Sequence, residues 1–110
     1  MKIPAMPLTV TDWAGVPAAT HPGETGTATW RTVMVGDVRV RMVEYSPDYR
    51  ADHWCPRGHV LLVLAGEMVS ELKDGRTVTL TAGMGYEASD DPDNPHRSYT
   101  EHGCTLFIVD

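Results

Sequence analysis

The chain has 110 residues, enough for one domain with a single modest core. Its 9 Lys and Arg against 15 Asp and Glu give a net charge of −6 with neutral histidines. With no Lys/Arg run, this balance argues against nucleic acid and against an anionic membrane surface as partners. Two cysteines are too few for a disulfide scaffold. No apolar run has the length of a transmembrane helix. The opening MKIPAMPLTVTDW is cut by Pro4 and Pro7 and meets Asp12 early, unlike a secretory signal, so the cytoplasm is the expected location.

Taken in chain order, residues 1–27 carry Pro4, Pro7, Pro17 and Pro22, which predict an extended N-terminal arm rather than a helix. Residues 28–110 read as one all-β domain. TATWRTVMV (27–35) and VRVRMVEYS (38–46) flank Gly36-Asp37 and predict a hairpin with a two-residue turn. Val38, Val40 and Met42 alternate with Arg39 and Arg41, which predicts a packed face and a wet one. HVLLVLAG (59–66) is apolar almost throughout, as expected of a strand covered on both faces. EMVSELK (67–73), Asp74-Gly75 and RTVTLTAG (76–83) predict a second hairpin. MGYEASDDPDNP reads as a loop, followed by strands PHRSY (95–99) and CTLFIV (104–109). Roughly eight short strands at this spacing predict a barrel or sandwich.

The stretch ADHWCPRGH (51–59) holds His53, Cys55 and His59. In an extended strand His53 and Cys55 point the same way, and the turn Pro56-Arg57-Gly58 brings His59 back beside them. Imidazole and thiolate are donors for zinc and other late first-row divalent ions. A fourth donor has to come from elsewhere, and His96 is the best placed. His21 and His102 read as surface histidines. The opposing reading is a polar turn, with Cys55 a small buried hydrophobe.

These motifs resemble the cupin superfamily. The first cupin motif falls on Pro47, His53, Cys55, His59 and Gly66, and the second on Gly75, Thr81, Gly83, His96 and Thr100. ADHWC resembles the signature of a small cupin group named for a DHCW motif. The chain departs from the usual pattern: Pro47 stands for glycine, Cys55 for the second histidine, His59 for glutamate, and Thr81 and Thr100 for proline and asparagine. The resemblance implies a small double-stranded β-helix, or jelly-roll barrel. It also implies one divalent transition metal inside the barrel, held by His53, Cys55, His59 and His96. Without a carboxylate the donor set is softer than the usual one, which favours zinc over manganese and keeps nickel, iron and copper as candidates.

Met42, Glu44, Tyr45, Leu61, Val63 and Tyr86 are expected to approach the barrel interior. Arg57 either meets a substrate carboxylate or sits exposed in its turn. Trp54 and Arg97 point away from the metal by alternation. Glu67, Glu71 and Asp90-Asp91-Asp93 read as solvated charge, without the setting of a glycosidase pair.

Two functions follow from the resemblance. One is a metal-dependent enzyme of oxygenase or isomerase type acting on a small-molecule ligand. The other is a non-catalytic, metal-stabilised binding or sensing module with a closed site. A homodimer is expected from the proline-rich arm and the edges that a small barrel must cover.

Overall fold

The computed structural model describes residues 3–110. The chain is antiparallel β throughout, with one 3-10 turn at Trp13–Gly15 and no α-helix among the described residues. The strands are β1 (Ala18–Pro22), β2 (Thr27–Val35), β3 (Val38–Tyr45), β4 (His59–Leu72), β5 (Thr77–Thr81), β6 (Gly85–Ala88), β7 (His96–Tyr99) and β8 (Cys104–Val109). Their order is β1-β2-β3-β8-β4-β5, with β6 and β7 also paired to β4.

β4 organises the barrel, because it belongs to two sheets. Its first half pairs with β8 and β6, and its second half with β5 and β7. The register shift between Val63 and Ala65 marks the crossing. A bulge at that point bends the strand and turns the second sheet over the first. The runs expected as two strands, 59–66 and 67–73, are therefore one continuous strand.

The first hairpin forms as its turn chemistry predicts. Val35 pairs with Val38, and Gly36 has the positive φ (60°) that a two-residue turn needs. Part of the expected arm is strand: β1 pairs with β2 over Ala18 to Pro22. Part of the expected loop after residue 83 is strand as well, since β6 pairs with His59 to Leu62.

Val43, Leu61, Val63, Met68, Leu106 and Ile108 form the centre of the core. Two expectations about strand faces reverse. β4 alternates: His59, Leu61 and Val63 are buried, whereas Val60, Leu62 and Leu64 are exposed, so it is covered on one face only. On β3 the arginine side is the inner one. Arg41 is buried and Arg39 half-buried, because the barrel interior supplies a carboxylate for both. Among the described residues no helix is long and apolar enough to cross a membrane.

Candidate metal centre

Cys55, His59 and His96 meet at one end of the barrel, with one donor atom from each within 4.8 Å of the others. The backbone places them. Cys55 and His96 face each other across an antiparallel bridge, closed by Cys55 N–H to the His96 carbonyl (2.7 Å) and His96 N–H to the Cys55 carbonyl (3.0 Å). Side chains of directly opposed residues leave the sheet on the same side. His59 opens β4 after the turn, and its Nε2 lies 3.9 Å from Cys55 Sγ. Sulfur and nitrogen ligands of one tetrahedral zinc lie about 3.5 Å apart, so the pair needs only a few tenths of an ångström of adjustment.

Gly58 allows this turn. A Cβ there would collide with the Ala88 carbonyl oxygen and with the Ser89–Asp90 backbone. Its N–H donates to Asp90 Oδ1 at 2.6 Å, which ties the ligand turn to the end of β6.

The second nitrogen of His59 is fixed from behind. Its Nδ1 lies 2.7 Å from Asp110 Oδ2, and the Asp110 side chain is only 1 % exposed. A carboxylate accepts, so Nδ1 carries the proton and Nε2 presents its lone pair towards Cys55. Metal-binding histidines are typically oriented in this way. The same carboxylate receives Arg39 Nε (2.8 Å), Arg39 Nη2 (3.1 Å) and Arg41 Nη2 (3.0 Å).

These contacts set the charge states. Burial of the Asp110 carboxyl acts to raise its pKa. The Arg39 hydrogen bonds and the Arg41, Arg39 and His59 charges outweigh it and hold the group at about 2. Burial lowers His59 to about 4, against the opposing pull of Asp110, and burial lowers His96 as well. Both imidazoles are therefore neutral at pH 7, the form a metal ion requires.

A cavity of about 230 Å³ adjoins these donors. Trp30, Arg41, Tyr45, Tyr49, Leu61 and Tyr86 contribute to its walls. The Tyr45 and Tyr49 rings stack with centroids 4.2 Å apart. Burial raises the phenol pKa of Tyr45 and of Tyr86, against a smaller opposing effect of Ser98 and Ser70.

The expected site residues separate as follows. Cys55, His59 and His96 come together. His53 lines the cavity but stays outside the cluster: its side chain is 77 % exposed and its Nδ1 lies 2.6 Å from Asp52 Oδ1. Residues 52–53 form a bend, so strand alternation from Cys55 does not carry back to His53. Leu61 and Tyr86 line the cavity. Met42 and Glu44 do not, because they share the outer face of β3 opposite Arg41 and Val43. Arg57 is mostly exposed, 3.8 Å from Asp110 Oδ1. Trp54 lies between two cations, Arg97 Cζ and Lys73 Nζ, each 4.6 Å from its ring centroid. Asp110, Arg39 and Arg41 were missed as site residues. A signal existed for Asp110: in CTLFIVD, alternation puts residue 110 on the buried face of Cys104, Leu106 and Ile108.

No family model matches the chain, and no curated protein matches it. Solved structures do. The polyketide cyclase RemF from Streptomyces resistomycificus superposes with a TM-score of 0.73 at 21 % identity, over 93 % of this chain and 78 % of that one. A sugar phosphate isomerase of the cupin superfamily from Silicibacter pomeroyi gives 0.70 at 15 %, over 92 % and 74 %. The chain has the cupin fold. A third match, Fe(II)-HppE with an alternative substrate, gives 0.74 at 13 %, over 94 % of this chain and 60 % of that one. At such identities the likeness concerns the cupin fold alone. A cupin scaffold hosts several chemistries, so the function of this chain has to be argued from its own site.

Proposed function

We propose that this cupin binds one divalent transition metal through Cys55, His59 and His96 and uses it to act on a small molecule in the adjoining cavity. The observation that carries the reading is the number of donors. Three converge beside a cavity, whereas structural zinc sites use four protein ligands and catalytic sites commonly three. This favours the enzyme, of oxygenase or isomerase type, over the closed binding or sensing module. One thiolate and two imidazoles suit zinc first, with nickel, iron or copper as alternatives. The matched structures include an isomerase, a cyclase and an Fe(II) protein, which supports the class of reading without choosing a reaction.

A bound divalent ion would supply Lewis acidity towards an oxygen of the substrate. The chain's own residues do the rest. Asp110 holds the His59 proton on Nδ1 and keeps the ring oriented. Leu61, Val43 and Ile108 make an apolar floor that excludes water, and Trp30, Tyr45 and Tyr49 offer aromatic faces to a planar ligand.

Elemental analysis of the untagged protein tests the reading. About one equivalent of metal is expected in the wild type and in His53→Ala, and none in a His59→Ala/His96→Ala double variant. Cobalt substitution is expected to give a thiolate-to-metal charge-transfer band that Cys55→Ser abolishes. A wild type that stays metal-free after reconstitution would overturn the reading.

A further inference from the structure

The cavity holds a cation that the metal centre does not use. Arg41 lines it and is buried, with its side chain 5 % exposed. One edge of its guanidinium is engaged, since Nη2 bonds Asp110. Its Nε is buried and has no hydrogen-bond partner. The guanidinium carbon lies 4.4 Å from the centroid of the Trp30 ring, which forms part of the same wall. Buried N–H groups of charged side chains are nearly always paired, and a second orphan, Arg97 Nε, belongs to the same wall, so this part of the cavity is short of acceptors.

The local charge fixes the sign of that group. Two guanidiniums, Arg39 and Arg41, share the single side-chain carboxylate of Asp110, which leaves one positive charge in excess among these side chains. The other cavity walls carry no acidic side chain: they are aromatic, aliphatic, histidine, cysteine, serine and arginine. An anion entering this space meets no repulsion from the wall.

We propose that Arg41 is the anchor for a carboxylate-bearing small molecule, with its guanidinium donating to the carboxylate and the body of the ligand lying against Trp30 and the Tyr45–Tyr49 stack. This rests on the reading of the cavity as a substrate site and names its substrate class, an aromatic or otherwise planar carboxylic acid. Asp110 thereby serves two purposes: it orients a metal-binding histidine and holds the anion anchor in place. Arg41 and His59 both bond Asp110 Oδ2, so metal and carboxylate would then sit side by side in one cavity, as an enzyme needs in order to orient a substrate.

The test uses benzoate as probe and benzamide as its neutral counterpart, titrated into metal-loaded and metal-stripped protein by calorimetry. Benzoate is expected to bind at least about tenfold tighter than benzamide in both forms, the strength of one hydrogen bond to a charged group. Arg41→Lys retains the charge and removes the planar guanidinium, and is expected to weaken benzoate about tenfold while leaving benzamide unchanged. Arg57→Gln is expected to leave both affinities as in the wild type. In the ¹⁵N spectrum of the wild-type protein the Arg41 Nε–H signal is expected to shift saturably with benzoate, a readout that needs no variant to fold. The proposal is overturned by equal affinity for the two probes, by absence of saturable benzoate binding at millimolar concentration, or by an Arg41 signal that does not move. A preference present only in the metal-loaded form also overturns it, because the ion would then be the anchor. Persistence of the preference in a protein that takes up no metal would sink the metal reading alone.

Discussion

Replacing Asp110 by Asn removes one charge and keeps the shape, and the structure says where the loss falls. The carboxylate is almost fully buried and receives Arg39, Arg41 and the Nδ1–H of His59. An amide offers one accepting oxygen where two accept now, and its NH₂ faces donors whichever way it is turned. Arg41, itself buried, keeps its charge without a partner. Breaking a buried ion pair from one side costs about 3–5 kcal/mol. Arg39 is 25 % exposed and regains some hydration, which places the expected loss near the lower end, about 3 kcal/mol. Urea unfolding of metal-free protein checks it. With a slope of about 1.5 kcal/mol per molar for a chain of this size, the midpoint should fall by about 2 M. Arg57→Gln is the control: its partner is the same carboxylate, but the pair is long and the arginine exposed, so the expected change is below about 0.5 kcal/mol. A Asp110→Asn variant within about 1 kcal/mol of wild type would show that the buried carboxylate does not hold this end of the barrel together. In the metal-loaded protein the same variant should lose about 10–100-fold in metal affinity, because His59 loses the group that fixes its tautomer.

Gly58→Ala should lower both stability, by about 2 kcal/mol or more, and metal content, because a Cβ there collides with the Ala88 to Asp90 backbone; thermal unfolding and elemental analysis read the two losses, and a stable, metal-replete variant would contradict the packing described. Cys104 is buried, and that burial, reinforced by the nearby Glu67 charge, raises its thiol from 9.0 to about 12. The unfolded chain releases that proton first, so this contribution to stability is complete below about pH 9 and declines as the pH rises towards about 12. Native metal-free protein at pH 8 should accordingly show one fast thiol, Cys55, with Cys104 reacting only on denaturation; fast labelling of both would refute its burial. The exposed row Val60, Leu62 and Leu64 on the outer face of β4 supports the proposed homodimer. Light scattering at micromolar concentration should give a dimeric mass that Leu62→Lys/Leu64→Lys converts to a monomeric one, and a monomeric wild type would remove the proposal.

Local signals carried the parts of this protein that depend on neighbours in sequence. Gly36-Asp37 between two alternating runs is enough to specify a hairpin and its register, since a two-residue turn leaves the flanking strands little freedom to slip. The clustering of His53, Cys55 and His59 around Pro56-Arg57-Gly58 located two of the three converging donors, Cys55 and His59, within nine residues. Tertiary structure decided which donors meet. His53 falls on a bend and turns to Asp52, whereas His96, far along the chain, is brought onto Cys55 by two backbone hydrogen bonds across an antiparallel bridge. It also decided which side of β3 is inside. Alternation distinguishes two faces of a strand without saying which one water reaches, and hydrophobicity then favours placing arginines outside. Here the inner face carries them, because Asp110 on a neighbouring strand end supplies a buried countercharge. A pairing between residues 39, 41 and 110 has no trace in local sequence, since only the closing of the barrel brings those positions to one another.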